Sequence, residues 1–249
     1  MKNGWLSYDG ISTANLGAYT TGKDTHNSPE RDVTTFQIAG RNGDFFVDNG
    51  RYKNITVTYP CFVMGFSLHE QKIRNDFGVP LKKYAVLQDS YDTTHFRLAR
   101  PVGGITFEPA RGDGANFDLS FDCDPRRFLN SGNTATEITG GYDNSLENPT
   151  YFTAKPLIEL EDVANGLVFE LADSNSGNVY TMTATTSYTG TVVIDCEKQD
   201  IYDEATLANK NDLFTLSDGF PEITDGATVT VTITGTYTSA YVTPRWWEL

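Results

Sequence analysis

The feature that most constrains this chain is an apolar–polar alternation with a period of two. It is clearest where Phe117, Leu119, Phe121 and Cys123 alternate with Asp118, Ser120 and Asp122. A period of two sends successive side chains to opposite faces of a strand, so this segment predicts a strand with one buried face and one wet face. Similar short segments recur along the chain between glycine, asparagine and proline. We therefore predict a mainly β fold of antiparallel strands.

The length and the pattern of breaks indicate two domains. A chain of 249 residues is long enough for two modest hydrophobic cores. The apolar periodicity lapses between Arg127 and Pro149, and Asn130–Thr134 has the composition of a linker. We place the boundary near residue 135. Residues 1–135 are predicted to form a β-sandwich-like domain and residues 136–249 an antiparallel β-sandwich.

One helix is predicted in the first half, over Leu68–Phe77. Ser67 and Glu70 have the spacing of a capping box, in which a serine caps the first turn and a glutamate three residues later reaches back. Gly78 and Pro80 provide the end signal. The helix should pack one apolar stripe against a sheet.

Two turns are predicted around the short apolar segment Phe45–Val47. Arg41–Asp44 and Asn49–Gly50 both contain Asn-Gly. This pair favours a tight hairpin turn because both residues tolerate positive φ. The second turn is expected to lead into a strand that begins at Ile55.

Charge and cysteine usage exclude several classes of protein. The net charge of −14 opposes binding to phosphate backbones, which requires clustered Lys and Arg. Met1–Trp5 contains no apolar signal region, and no apolar run reaches membrane-spanning length, so no membrane partner is expected. Cys61, Cys123 and Cys196 form no CxxC pair and are interpreted as buried thiols in a reducing compartment.

No catalytic, cofactor or metal site is predicted. His26, His69 and His95 have no His or Cys neighbour at ligand spacing. Asp173–Asn178 resembles the start of a calcium loop, but Ala184 stands where the bidentate glutamate would be. The chain is therefore predicted not to be an enzyme and to need no cofactor.

Paired carboxylates do not change this interpretation. Glu159 and Glu161, like Asp118 and Asp122, fall on the outward face of predicted strands. We expect water to solvate them without a shift in pKa, which argues against paired-acid glycosidase chemistry.

The last nine residues, Tyr241–Leu249, carry Arg245 followed by the adjacent Trp246 and Trp247. Two adjacent indoles are costly to expose, so at least one should be buried. Two interpretations remain open: a strand of the core, or an anchor between subunits or domains, where Trp and Arg are favoured.

Four features, in this order along the chain, give it a likeness to a known family. They are Tyr8-Asp9-Gly10 followed by Pro29-Glu30-Arg31, the lone helix Leu68–Phe77, the stretch Phe121-Asp122-Cys123-Asp124-Pro125, and Asp195 combined with Phe220-Pro221, Asp225-Gly226 and the final Pro244–Leu249. The chain resembles the distal tail protein (Dit) family of long-tailed, non-contractile bacteriophages. It is similar to the short form, since its second half has no long insertion.

The resemblance implies a hexameric ring formed by the N-terminal domain and a galectin-like C-terminal β-sandwich at its periphery. It implies a structural tail-tip hub, made in the bacterial cytoplasm and located at the tip of the virion tail. The implied partners are further copies of the chain (one hexamer or two back to back), the tail tube protein, and a tail-associated, tail-fibre or receptor-binding protein. DNA would pass through without specific binding. The candidate interface residues are Pro29, Glu30, Arg31, Arg245, Trp246 and Trp247.

The galectin likeness also raises an alternative function, a non-enzymatic carbohydrate-binding protein in host-surface adhesion. Galectin sugar sites use a His-x-Asn-Pro-Arg segment and a stacking tryptophan. The second half of this chain has no histidine, and its only tryptophans are the terminal pair. Fold likeness alone does not transfer a function.

Overall fold

The computed structural model describes residues 4–22, 28–78 and 83–249, and the chain divides into two compact units. The first unit runs to Arg127 and also includes Leu249, and the second spans Phe128–Glu248. The division therefore lies before the predicted boundary near residue 135. The segment with linker composition belongs to the second unit because its 3₁₀ helix, Asn130–Asn133, contains Gly132, which lies against Trp246.

The first unit is mainly β with one α-helix, as predicted. Its strands are β1 Leu6–Tyr8, β2 Ile11–Ser12, β3 Ala18–Thr20, β4 Arg31–Phe36, β5 Phe45–Tyr52, β6 Ile55–Met64, β7 Ala85–Asp89, β8 Asp92–Val102, β9 Glu108–Ala110 and β10 Gly114–Cys123. Its helical segments are the 3₁₀ helix Thr13–Leu16, α1 Phe66–Ile73 and a π-helical turn Arg74–Gly78.

Most strands of the first unit belong to one antiparallel sheet in the order β2-β1-β7-β8-β10-β6-β3, with β9 alongside β10. The sheet curls round so that Gly4, just before β1, and Thr20 of β3 exchange backbone hydrogen bonds of 3.2 and 3.0 Å. The sheet thus encloses one core, where the Phe121 ring lies 5.5 Å from that of Tyr8 and 6.1 Å from that of Tyr59. The alternation predicted for Phe117–Cys123 is confirmed as a buried row in β10.

The helix is confirmed, but the predicted capping box is wrong. Its N-cap is Gly65, and Ser67 lies inside the first turn. Asp113 caps the helix instead: its carboxylate accepts hydrogen bonds from the Ser67 backbone N–H at 2.9 Å and the Ser67 hydroxyl at 2.7 Å. Glu70 pairs with Arg74 at 2.9 Å rather than reaching back. The expected apolar stripe is present as the buried Ile73 and Phe77 (Pro80 lies outside the described residues).

This cap leads to a testable expectation. Asp113→Ala should loosen the first turn of α1, because the Ser67 amide and hydroxyl lose their acceptor. Asp113→Asn should retain most of the protection, since an amide oxygen still accepts. The measurement is hydrogen exchange of the amides of residues 67–70. Asp118→Ala, at an exposed position of β10, is the control, and equal exchange in Asp113→Ala and Asp118→Ala would show that the cap contributes nothing.

The prediction of a turn at Asn49–Gly50 is also wrong. Both residues lie within β5, where Gly50 has φ of +74° and donates its N–H to the Asp48 carboxylate at 2.8 Å. The pairing of β4 with β5 shifts register here, so Gly50 supplies the positive φ of a β-bulge rather than of a turn. The other predicted turn, Arg41–Asp44, lies in the loop between β4 and β5 as expected.

The second unit is a sandwich of two antiparallel sheets, as predicted. After β11 Arg127–Leu129, which spans the division, its strands are β12 Thr136–Glu137, β13 Asn144–Glu147, β14 Leu157–Val163, β15 Val168–Asp173, β16 Val179–Ala184, β17 Tyr188–Asp195, β18 Asp200–Asp203, β19 Phe214–Ser217, β20 Thr228–Thr234, β21 Ser239–Thr243 and β22 Trp247–Glu248. A further 3₁₀ helix covers Asn211–Leu213.

One sheet has the order β12-β21-β14-β17-β18 and the other β13-β20-β15-β16-β19. Their inward side chains form a single core that includes Ile158, Phe169, Met182 and Ile194, all fully buried. Cys196 belongs to the same core, and Cys61 and Cys123 are buried in the first unit, so the interpretation of the three cysteines as buried thiols is confirmed. Among the described residues, no helix has the length and apolar character needed to cross a membrane.

Candidate assembly surfaces

The most exposed apolar surface is the hairpin formed by β4 and β5. Among the described residues, these two strands pair with each other and with no other strand. The large apolar residues of the hairpin and its loop are all 39–65% exposed, namely Val33, Phe36, Ile38, Phe45, Phe46 and Val47. Soluble monomers rarely expose so many in one place, and such patches mark interaction sites.

Both faces of this hairpin are apolar. Phe36 pairs directly with Phe45, and by strand alternation they share one face with Val47, whereas Val33 and Phe46 lie on the other. A hairpin resting on its own core would have one polar face. This hairpin therefore has no face suited to water.

The base of the hairpin holds the first group of predicted interface residues. Pro29 is buried, Glu30 accepts a backbone hydrogen bond from Lys53 at 2.9 Å, and their side chains form an ion pair at 3.6 Å. Arg31 pairs with Asp48 at 2.8 Å. These contacts join the two strands at the base of the hairpin, so Glu30 and Arg31 help to position it.

The charges on the hairpin compensate one another. Residues 31–52 carry three Arg and three Asp. Arg51 pairs with Asp32 at 2.7 Å and lowers the pKa of that carboxyl group. The Gly50 amide and the Arg31 guanidinium lower the pKa of Asp48 in the same way. A partner would therefore meet an apolar surface with little net charge.

Charge is divided unequally between the two units. Residues 1–127 contain 15 of the 19 Lys and Arg and 15 of the 33 Asp and Glu, so their net charge is zero. The remaining 4 basic and 18 acidic residues all lie in the second unit, which carries the whole −14. Two copies would therefore repel each other through their second units and not through their first.

The tryptophan segment lies inside the second unit. Trp246 is 5% exposed and belongs to the core of that unit. Its carbonyl accepts a hydrogen bond from the Leu129 N–H at 2.9 Å. Gly132 packs so closely that a Cβ added to it would lie 2.7 Å from the Cβ of Trp246. Trp247 is half-buried. Its ring stacks on Phe152 with centroids 4.3 Å apart.

Arg245 connects this segment to a buried carboxylate. Its guanidinium contacts Asp195 at 2.7 Å, and Lys198 contacts the same carboxylate at 3.0 Å. The Asp195 side chain is only 1% exposed. Burial acts to raise the pKa of Asp195, but the two cations outweigh it and the pKa lies below its ordinary value. The pair fixes the end of the chain on the second unit.

Comparison with solved structures finds the crystal structure of the SPP1 Dit protein (gp 19.1), described as a paradigm of the hub adsorption apparatus in phages that infect Gram-positive bacteria. The match covers 100% of both chains with a TM-score of 0.67 and 12% sequence identity. This chain has the fold of a Dit protein. The predicted resemblance is thus confirmed at the level of the fold. Neither a family model nor a curated protein sequence matches the chain.

In this Dit-like chain the predicted interface residues separate into two groups. Pro29, Glu30 and Arg31 lie at the base of an exposed hairpin, whereas Arg245 and Trp246 lie within the second unit and stabilise it. Sequence reasoning missed the apolar surface of the hairpin. The signal was the uninterrupted run Phe45–Val47, which breaks the alternation that a half-buried strand would show.

Two of the remaining candidates for chemistry, His95 and Asp173, have structural partners. His95 lies 3.0 Å from Asp92, and His26 lies outside the described residues. Within residues 4–22, 28–78 and 83–249, no group of three His, Cys, Asp or Glu side chains is arranged to hold a metal ion. Asp173 of the calcium-like loop is occupied by hydrogen bonds from the loop and from Thr224.

The expectation of unshifted carboxylates is wrong at two positions. Burial and the neighbouring Glu204 raise the pKa of Glu159. At Asp122 burial acts in the same direction, but hydrogen bonds from Tyr84, Asn54 and Arg100 outweigh it and lower the pKa. The outward faces of these strands are therefore partly covered rather than fully solvated.

Proposed function

We propose that this chain is the structural hub protein at the tail tip of a non-contractile bacteriophage. Copies of its first unit form a hexameric ring that joins the tail tube to the adsorption apparatus. The protein is a scaffold and not an enzyme. It is assembled into the virion after synthesis in the host cytoplasm.

The observation that carries this proposal is the exposed apolar hairpin. It is apolar on both faces, has no net charge, and is braced at its base by Arg31–Asp48 and Glu30–Lys53. Such an element is suited to contact another protein. The zero net charge of the first unit allows copies to approach through that unit.

The full-length likeness to the SPP1 Dit protein supports the location at the tail tip, since that protein is described as a hub of the adsorption apparatus. The partners of the ring are then the tail tube protein on one side and a tail-associated or receptor-binding protein on the other. Because basic and acidic residues balance in residues 1–127, a channel built from the first unit offers passing DNA no net attraction.

A sugar-binding role for the second unit has less support. Trp246 is buried, and Trp247 is half-buried with one face of its ring stacked on Phe152, so the terminal pair offers no fully exposed indole of the kind that holds a sugar ring in galectins. Tyr151 and Tyr142 are the most exposed aromatic side chains of the second unit, at 91% and 69%.

The test is the oligomeric state of a hairpin variant. In analytical ultracentrifugation the wild-type protein should have a mass of about 165 kDa, six times the 27.5 kDa chain. Two stacked rings should have twice that mass. Phe45→Ser with Phe46→Ser removes one large aromatic side chain from each face of the hairpin and should give a folded monomer. Leu207→Ser with Tyr151→Ser is the matched control, because these residues are 73% and 91% exposed in the second unit, and it should assemble normally. A wild-type protein that stays monomeric at all accessible concentrations would refute the proposal.

A further inference from the structure

We propose that the hairpin of one copy docks on an apolar patch at the far end of β6 in a second copy. This inference rests on the proposed function and names the reciprocal surface of the ring contact. The patch, called here the far-end patch, consists of Tyr19, Phe62, Met64 and Leu68.

The far-end patch is built by strand pairing and by the start of α1. Tyr19 pairs directly with Phe62 in the sheet, and Met64 follows two residues later on the same outward face. Leu68 lies close to Gly65, the residue after Met64. Met64 is 64% exposed and Leu68 is 80% exposed, so neither side chain contributes much to the core of its own unit.

The far-end patch lies away from the base of the hairpin in the same copy. The base of the hairpin lies at Lys53, just before β6 begins at Ile55, and β6 ends at Met64. Ten residues of strand span about 30 Å. The root of the hairpin and the far-end patch therefore lie at opposite ends of one strand.

Two different surfaces at opposite ends of a subunit form a heterologous contact. Each copy then donates its hairpin to one neighbour and receives a hairpin from the other, which generates a closed ring when the rotation between copies divides a full turn. An isologous pair of hairpins would end at a dimer. The placement of the two surfaces accordingly favours a ring.

The other exposed apolar residues of the first unit are less suited to receive the hairpin. Tyr84, Val86 and Tyr91 are 43–45% exposed. The Tyr84 hydroxyl bonds to Asp122 at 2.6 Å, and the Tyr91 hydroxyl lies 3.4 Å from Thr20. In the far-end patch, Met64 and Leu68 are more exposed than these residues, at 64% and 80%, and they extend the half-buried pair Tyr19 and Phe62.

The test uses two variants of the full chain that each lose one surface. The hairpin variant is Phe45→Ser with Phe46→Ser, and the patch variant is Met64→Glu with Leu68→Glu. Each alone should be monomeric by analytical ultracentrifugation. An equimolar mixture should form a heterodimer of about 55 kDa, twice 27.5 kDa, because one intact hairpin meets one intact patch and both free ends are then blocked.

The controls separate this inference from the proposed function. Leu207→Glu in the second unit should still form rings, and the milder pair Met64→Ser with Leu68→Ser should weaken assembly if the glutamates act through the contact rather than through misfolding. Oxidation of a Val47→Cys, Leu68→Cys double variant should give a ladder of disulfide-linked species, and either single variant should not. If patch variants form wild-type rings while the hairpin variant does not, the inference is wrong and the proposed function stands. A monomeric wild type would refute both.

Discussion

Replacing Trp246 with alanine is expected to lower the free energy of unfolding of the second unit by about 3–5 kcal/mol, the usual cost of truncating a large buried aromatic side chain. Trp246 is 5% exposed and packs in the core of the second unit. Its backbone lies against Gly132, so the surrounding chain cannot easily collapse into the space left behind. The loss therefore combines the transfer of an indole to water with the cost of a cavity.

Trp247 offers a matched comparison on the adjacent residue. It is half-buried, stacks on Phe152 at 4.3 Å and donates its indole N–H to the Thr153 carbonyl at 2.9 Å. Trp247→Ala should cost about 2 kcal/mol, because less area is buried and the remaining contacts are a stacking pair and one hydrogen bond. Urea denaturation, combined with hydrogen exchange in β14, reports on the second unit. Equal losses for the two variants would contradict the assignment of Trp246 to the core.

Asp195→Ala is expected to lower the free energy of unfolding of the second unit by about 3 kcal/mol, because it leaves the partly buried Arg245 without its counter-ion. The carboxylate is 1% exposed and contacts both Arg245 and Lys198. Asp195→Asn keeps the shape and removes the charge, so its loss should be smaller. If Asp195→Ala is as stable as wild type, the ion pair does not hold the terminal segment.

The same carboxylate makes the stability of the second unit depend on pH. Because Arg245 and Lys198 lower the folded-state pKa of Asp195 below its ordinary value of 3.8, its contribution is fully present above about pH 4. It is lost as the pH falls through the lowered value, when the folded carboxylate takes up a proton. Asp203 acts in the same direction, since Thr206 and Tyr188 lower its pKa to about 2. Asp195→Asn should flatten the acid limb of the stability curve.

Sequence reasoning predicted the fold well where the signal is local. The alternation in Phe117–Cys123 and the turn-separated strands of the second half predicted elements that the structure contains, because burial of one face imposes a period of two. Sequence reasoning failed where the hydrogen-bond partner is distant in the sequence, or where one residue type suits two different local structures. The cap of α1 comes from Asp113, a position that no spacing around Ser67 could reveal. Gly50 supplies a positive φ, which a bulge needs as much as a turn does.

The candidate site could be predicted only in part. Pro29–Arg31 was identified by resemblance, and the structure adds that this segment braces a hairpin. An apolar residue in a strand has the same appearance in a sequence whether it faces a core or water, so the exposure of Phe46 could not be inferred. The two interpretations of Trp246 were equally compatible with the sequence. The close approach of Gly132 to Trp246 distinguishes them.

The contact between Leu129 and Trp246 has a consequence for the order of folding. The seven strands that form the main path of the sheet in the first unit all lie within residues 6–123, so a chain growing from its N-terminus can pair them early. The second unit must close a loop of roughly 120 residues before Trp246 fills its core, and closure over such separations is slow. During that interval the second unit still exposes apolar side chains that its core will bury. Its excess of 18 acidic over 4 basic residues then keeps partly folded chains apart by mutual repulsion.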